Sequence, residues 1–180
     1  MAEGDIANLK NRTEAKLRYA WVHLNELVTT IPYHVGDDFE RAHQESFLYH
    51  FLGAKDAFLA ELNVYYNCKL PPDNLTLGEL RKARKKLNKK YHEITALHNL
   101  ENDDTSWLSK AKVMRDYATH MHGIARTYHH GGPHHGNVFL RNPKTGDNIE
   151  IHYVDEFSNW LSLMSDLLQK LRESAIKNNS

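Results

Sequence analysis

Cysteine, proline and glycine are scarce in this chain of 180 residues, and its charges cancel. The sequence has one cysteine, five prolines and nine glycines, and 23 basic residues balance 23 acidic ones. A single cysteine, Cys68, excludes an internal disulfide. The balanced charge removes any argument from net charge for a nucleic-acid or membrane partner, so local charge has to carry such a case.

Long apolar runs are missing as well. No stretch approaches the roughly 18 uninterrupted apolar residues of a membrane span, and the N-terminal segment lacks the apolar core of a signal peptide. The length suits one well-buried core rather than two. We therefore expect a cytoplasmic protein without membrane contact, folded as a single domain over residues 1–180.

Apolar residues recur at three- and four-residue steps through most of the chain, which is the period of amphipathic α-helices. The second predicted helix is apolar on several sides, which indicates a central position. Thr76-Leu-Gly-Glu79 forms a capping box at the start of the third, and Asp155 is the expected cap of the last. The predicted helices span about residues 5–30, 38–66, 76–97, 104–125 and from 155 onward.

A short β-hairpin interrupts the helical pattern. The segments Val138-Phe-Leu140 and Ile149-Glu-Ile-His-Tyr153 are rich in strand-forming residues, and the loop between them contains proline and glycine. An isolated hairpin is marginal in water, so we expect it to lean on the helices. The predicted fold class is all-α, a bundle of about five helices with a small β-hairpin near 138–153.

The run Met114-Arg-Asp-Tyr-Ala-Thr-His120 sets a strong cation and a proton-transfer group at a defined spacing inside a helix. Arginine stays charged and grips phosphate in a fork, while histidine can carry or release a proton near neutral pH. Together these groups suit phosphodiester cleavage. His122 follows within two residues and is a second candidate for the proton-transfer role.

An Arg followed by a polar residue, with His four to six positions after the Arg, resembles the signature of the HEPN superfamily, helical domains that include many prokaryotic RNA-cutting toxins. The resemblance implies that Arg115 binds the scissile phosphate and that His120 is a general acid or base. It also implies that Asp116 orients them, that no metal is needed, and that the site lies in the cleft of a homodimer. The expected product of such cleavage carries a cyclic phosphate.

The two histidines are not equivalent on one ideal helix. His122 shares a face with Arg115, whereas His120 lies roughly 140° around the axis. The family pattern favours His120 and the helical geometry favours His122. A break or a dimer contact near Gly123 would reconcile the two.

The second helix carries polar groups among large apolar residues, and Asp56 and Asn63 share one of its faces. Buried charges are costly unless paired, so these groups need partners. We expect this face to meet Arg115. Alternatively, these residues only fix the register of the helix or lie near solvent.

Positive charge is concentrated in the segment from Arg81 to Lys90, which holds seven basic residues in ten. Such a surface suits a phosphate backbone. Alternatively, it is a solvated helix face balanced by nearby acidic residues. The candidate nucleic-acid contacts are Arg81, Lys82, Arg84, Lys85, Lys89 and, beyond this segment, Arg126.

Histidine is abundant, with 13 residues in all and six of them between His120 and His135. Neutral imidazole is a common metal ligand. A site from His50, His130 and His134 would resemble the DinB-like metal-binding bundles, which use a His-x3-His pair. Gly131-Gly-Pro133 departs from that family's pattern because it cannot continue a helix between the two rings.

The sequence thus predicts RNA or nucleotide phosphodiester processing, without a cofactor, at a site centred on Arg115 and His120. Two alternatives stay open. The first is a module that binds nucleotide or nucleic acid without cutting it. The second is a hydrolase that uses a divalent metal at the histidine cluster.

Overall fold

The computed structural model describes residues 3–29, 38–87, 91–120, 124, 126–136 and 138–178. Within these ranges the chain is mostly helical and carries a small antiparallel sheet, as the sequence predicted, but six α-helices replace the expected five or so. The helices are α1 Glu3–Thr29, α2 Asp38–Tyr65, α3 Leu77–Lys86, α4 His92–Asn102, α5 Trp107–His120 and α6 Tyr153–Lys177. The strands are β1 Arg126–Tyr128, β2 Val138–Arg141 and β3 Asn148–His152.

The α2 helix is the central element of the core, which confirms the prediction from its many apolar faces. Its buried side chains lie against α1, α5 and α6, and Phe47 stacks on Phe157 of α6 with ring centroids 4.4 Å apart. Around this pair lie Phe51 and Trp160, both fully buried. Each long helix keeps a polar side, and no helix in the described ranges is both long and apolar enough to cross a bilayer.

The predicted third helix is in fact two helices, α3 and α4. Thr76 caps α3 as expected, its hydroxyl accepting a 3.2 Å hydrogen bond from the Glu79 backbone N–H. The helix cannot continue into α4 because Tyr91 has an extended backbone, with φ −105° and ψ 108°. The Tyr91 ring is buried and stacks on Tyr66, with ring centroids 3.8 Å apart. Tertiary packing therefore sets a break that the periodicity did not indicate.

The hairpin is part of a three-stranded sheet in the order β1-β2-β3. β2 and β3 form the predicted antiparallel pair, and β1 adds a strand that the sequence did not predict, with Thr127 opposite Phe139. A strand of three residues is too short to show alternation of polar and apolar positions. The last helix also starts earlier than expected: the His152 imidazole, not Asp155, accepts a hydrogen bond from the Val154 N–H.

A buried carboxylate holds α1, α2 and α6 together. Glu61 of α2 is fully buried, and Arg172 of α6 donates to both of its oxygens at 2.7 and 3.0 Å. The Thr13 hydroxyl of α1 donates a third hydrogen bond of 2.6 Å. A buried charge is tolerated only when paired and hydrogen-bonded, so this arrangement fixes the relative positions of the three helices.

A second buried ion pair ties the sheet to α2. Arg126 of β1 donates from Nη1 to Oε1 of Glu40 at 2.7 Å, and Gln44 donates to the same oxygen at 2.9 Å. Both partners are almost completely removed from solvent, with side chains 6% and 4% exposed. The guanidinium of Arg126 is thereby engaged inside the fold.

Replacing Arg172 with Ala should destabilise the protein by about 3 kcal/mol, because Glu61 would remain buried without its cationic partner. Urea unfolding followed by circular dichroism measures this change. Lys170→Ala, on an exposed position of the same helix, is the matched control and should change stability by less than about 0.5 kcal/mol. Equal stability of the two variants would contradict the structural role of the pair.

Candidate functional site

Arg115 lies on α5 with its side chain about one-third exposed. Its Nε and Nη2 atoms donate to Oδ1 of Asp116 at 3.2 and 2.9 Å. A guanidinium has five N–H donors in a rigid fork, so one monodentate carboxylate partner leaves donors for a ligand. Asp116 therefore pairs with Arg115 without using all of its donors.

A surface pocket of about 340 Å³ lies between α1, α2 and α5. Three cationic side chains line it, two from α1 that are one helical turn apart and Arg115 from α5. Its walls otherwise consist of an exposed aromatic ring, two small residues of α2 and one carboxylate. The lining residues are Arg12, Lys16, Tyr49, Gly53, Asp56, Ala57 and Arg115.

Lys16 is the least usual member of this pocket, since the residue is only 9% exposed. Its ammonium lies 4.6 Å from the centroid of the Tyr49 ring and 3.3 Å from Nδ1 of His50. Among the described residues it forms no ion pair, whereas Lys55 of α2 is paired with two carboxylates. A mostly buried cation that lacks an acidic partner is costly, and an anion in the pocket would supply one.

Gly53 makes the space that Lys16 occupies. A Cβ atom at Gly53 would lie 3.3 Å from Cδ, 3.4 Å from Cε and 3.5 Å from Nζ of Lys16. Glycine costs about 1 kcal/mol relative to alanine in the interior of a helix. The close approach of the lysine stem gives this glycine, in the middle of α2, a physical reason.

Asp56 adds only limited negative charge to the pocket. Its Oδ1 atom lies 3.0 Å from the Lys55 ammonium, which also binds Glu101 of α4. Burial acts to lower the pKa of Lys55, but the charges and hydrogen bonds of Asp56 and Glu101 outweigh burial and raise it. Lys55 therefore stays charged beside Asp56, and the three cations in the lining remain in excess.

His50 accepts a hydrogen bond from Lys16. An ammonium can only donate, so Nδ1 of His50 has to be the acceptor and Nε2 carries the ring proton. Burial lowers the pKa of His50, and the positive charges of Lys16, His23 and Arg12 lower it further. The ring is consequently a neutral imidazole at pH 7, set behind the cationic pocket.

His23 of α1 extends this arrangement. Its ring is stacked parallel on His50 at a centroid distance of 5.5 Å, and its Nδ1 atom lies 3.2 Å from Nδ1 of His43. Burial and the neighbouring His43 lower the pKa of His23, while Glu26 acts weakly in the opposite direction. Two nitrogens at that distance require one to donate and the other to accept, so at least one ring is uncharged.

The predicted catalytic residues fall only partly within the described structure. Arg115 and Asp116 are placed as given above. His120 is the last residue of α5, but its side chain, like the whole of His122, lies outside the described residues. The structure therefore brings Arg115 together with Arg12 and Lys16, and the histidine partner stays a prediction.

The predicted face of α2 divides between two roles. Asp56 does line the same pocket as Arg115. Asn63, two helical turns after Asp56, instead donates to the Leu70 carbonyl at 3.0 Å and accepts from the Leu70 N–H at 3.1 Å. Asn63 fixes the loop after α2 and does not reach the pocket.

The basic residues of α3 have partners within the fold. Arg81 contacts His98 of α4, Arg84 donates to the Thr95 hydroxyl at 2.6 Å, and Lys82 pairs with Glu79 at 2.6 Å. Lys85 is exposed, and Lys89 lies outside the described residues. Arg126 is held by Glu40 as described above. Much of this predicted nucleic-acid surface thus also joins α3 to α4 or the sheet to α2.

The residues of the metal alternative are distributed over separate elements. His50 belongs to α2 and is bound to Lys16, while His130 lies exposed in the turn after β1. The side chain of His134 lies outside the described residues. In the part of the chain that the structure describes, no three His, Cys, Asp or Glu side chains are grouped so as to hold a metal ion.

The sequence reasoning missed Arg12, Lys16 and Gly53. Arg12 and Lys16 are four residues apart and share a face of α1, but a basic pair on a helix surface is common. Gly53 carried a stronger signal, because an isolated glycine inside a strongly helical pattern often has a packing reason.

No protein-family model, curated protein or solved structure shows a significant match to the chain. The function has to be inferred from these residues themselves.

Stability should fall as the pH is lowered below about 6.5. The pKa values of His23, His50 and His152 are all lowered in the folded protein, so the unfolded chain binds more protons once the pH drops below the ordinary value of 6.5. The stabilisation is complete above that value and is lost as the pH falls through the lowered pKa values. Urea unfolding between pH 8 and pH 5 measures it.

The double variant His23→Gln and His50→Gln should show a shallower dependence of unfolding free energy on pH, because two of these groups no longer titrate. Glutamine keeps a side-chain acceptor for Lys16. The same substitution at exposed His130 is the control for loss of any imidazole. A double variant with an unchanged slope would show that these rings do not couple to folding.

Proposed function

We propose that the pocket lined by Arg12, Lys16 and Arg115 binds a phosphate group of RNA or of a nucleotide, and that the protein processes phosphodiesters there in the manner of HEPN-like enzymes. In this proposal Arg115 grips the scissile phosphate and Asp116 orients its guanidinium. His120 is the general acid or base, with His122 as the alternative. A homodimer in the cytoplasm is the proposed form.

The observation that carries the proposal is the position of Lys16. The residue is only 9% exposed, its ammonium has no acidic partner among the described residues, and it borders an open pocket that Arg115 also borders. Arginine and lysine together are a frequent solution for phosphate, because one supplies a planar fork and the other a point charge. A phosphate would neutralise the excess of positive charge.

The chemistry proposed for this pocket needs charge stabilisation more than covalent catalysis. A base removes the proton of the ribose 2′-hydroxyl, and the resulting oxygen attacks phosphorus. The bond to the 5′-oxygen breaks, that oxygen takes up a proton, and a 2′,3′-cyclic phosphate remains. Negative charge grows on the phosphoryl oxygens along this path, and in this proposal the three cations stabilise it. The 2′-hydroxyl requirement makes RNA, not DNA, the substrate.

The proposal predicts cleavage of a labelled single-stranded RNA in the presence of a chelator. Arg115→Ala and His120→Ala should each reduce the rate at least about a hundredfold, because each removes a group that acts on the transition state. Lys110→Ala, a cation of α5 outside the pocket lining, is the matched control and should cleave at the wild-type rate. Gel electrophoresis of the products measures the rates and detects the cyclic phosphate.

Other outcomes point to the alternatives. Binding that needs Lys16 and Arg115 without cleavage under any condition would make the protein a binding module. Cleavage that stops with the chelator and returns with added divalent metal would favour the histidine cluster. If Lys16→Gln binds RNA like the wild type and Lys85→Gln binds it more weakly, the RNA-binding surface is on α3.

Gly53→Ala should separate stability from phosphate binding. Alanine favours the interior of α2 by about 1 kcal/mol over glycine, so the variant should not unfold more easily than the wild type. Its Cβ would push the Lys16 side chain by a few tenths of an ångström, so the affinity for an RNA oligonucleotide should fall several-fold. Gly78→Ala, with no atom nearer than 3.8 Å to its Cβ, is the control. Unchanged affinity in Gly53→Ala would contradict the role of Lys16.

A further inference from the structure

A row of rings leads away from the cationic pocket along the surface between α1 and α2. Tyr49, which lines the pocket, makes an edge contact with His50 at a centroid distance of 5.2 Å. Tyr19 contacts the same imidazole at 5.3 Å, and His23 stacks on it at 5.5 Å. We call the row formed by Tyr49, His50, Tyr19, His23, His43 and Phe39 the ring row.

The contacts between neighbouring rings continue from His23 to the far end of the ring row. His43 contacts His23 at a centroid distance of 5.1 Å, and Phe39 lies 4.2 Å from His43. Two members of the row are the most exposed: Tyr49 is 63% exposed and Tyr19 is 44% exposed. These are large ring surfaces, and the described part of the fold does not bury them in its core.

Helical spacing places the pocket cations and the ring row next to each other, and we call the two together the strip. On α1, Arg12, Lys16, Tyr19 and His23 follow one another at steps of four, three and four residues, so they share a face. The distance along the axis from Arg12 to His23 is about 17 Å at 1.5 Å per residue. The α2 helix runs antiparallel beside them and adds the other rings. The strip is positive at one end and aromatic along the rest.

We propose that the ring row stacks the unpaired bases of a single-stranded RNA whose phosphate occupies the cationic pocket. The inference rests on the proposed function, because it requires that pocket to take a phosphate. Aromatic faces beside a positive groove are the means by which proteins hold single strands, since every base has a face that can stack. Paired bases in a duplex already stack on one another and offer only their edges.

The charge of the strip favours this occupant over a second copy of the chain. A two-fold interface across the ring row itself would bury its rings against one another and supply no anion for the adjacent cationic pocket. A polynucleotide supplies one negative charge per nucleotide and a flat ring beside each. The strip therefore complements a strand in both charge and shape.

Tyr49 is the member that joins the two parts. The Lys16 ammonium lies over its ring at 4.6 Å, and most of the residue remains exposed. A base stacked on this tyrosine would therefore lie next to the phosphate held by Arg12, Lys16 and Arg115. The first nucleotide of the strand is expected at this ring.

Fluorescence anisotropy with a labelled ten-nucleotide 2′-O-methyl RNA tests the inference, because that strand cannot be cleaved through its 2′-oxygen. A ten-nucleotide strand of the same backbone with abasic positions reports the phosphate contacts alone. Tyr49→Leu and Tyr19→Leu should each bind the intact strand about tenfold more weakly, and Tyr19→Leu, which lies outside the pocket lining, should bind the abasic strand like the wild type. Tyr49→Phe keeps the ring and should retain wild-type affinity.

The salt dependence supplies a second measurement. Tyr19→Leu should leave the slope of log affinity against log salt unchanged, because no phosphate contact is lost, whereas Lys16→Gln should reduce it by about 0.7. Circular dichroism checks that each variant is folded. The affinity for a blunt duplex of the same sequence should be the same in the wild type and in Tyr19→Leu.

The outcomes separate the two proposals. If Lys16→Gln weakens binding of the abasic strand but the tyrosine variants bind both strands like the wild type, the pocket stands and the ring row is overturned. Equal loss on intact and abasic strands in Tyr19→Leu also overturns stacking. If neither strand depends on Lys16 or Arg115, the proposed function fails and this inference fails with it. Concentration-dependent self-association abolished by Tyr19→Leu would instead assign the strip to a second copy.

Discussion

The structure depends on the pairing of carboxylates that are buried in or around α2. Glu61 is fully buried and is satisfied by one residue of α1 and one of α6, while Glu40 is satisfied by Arg126 of the sheet. Apolar burial is non-directional and would tolerate several packings of these helices. A buried charge does not tolerate them, because it is stable only where its partners meet it. The carboxylates thereby select one arrangement of α1, α6 and the sheet around α2.

That arrangement has a consequence about one turn further along α1. Once Thr13 is bound to Glu61, the next turn of α1 lies beside Gly53 and His50, and Lys16 enters a pocket where it has no ion-pair partner among the described residues. The same geometry that satisfies one buried charge leaves another unsatisfied. We interpret that asymmetry as the origin of the pocket, and Arg115 of α5 completes it.

The chain's fold class could be predicted from periodicity, and its finer divisions could not. The central place of α2 follows from apolar residues on several of its sides, and the Thr76 cap follows from local chemistry. The break before Tyr91 and the strand β1 depend on contacts between distant parts of the chain, Tyr91 with Tyr66 and Thr127 with Phe139. Of the candidate site, the motif indicated Arg115 and Asp116, whereas Arg12 and Lys16 look like ordinary surface cations until the helices are packed.

The sequence alone determined which segments become helices, because propensity, capping and apolar spacing act within a few residues. It also determined that a strong cation would lie on α5 with a carboxylate next to it. Only the tertiary structure decided which cations share a pocket and which are paired inside the fold, as Arg126 is with Glu40. The reason is physical: the value of a charge depends on its burial and on partners many residues away, and neither is encoded in local spacing.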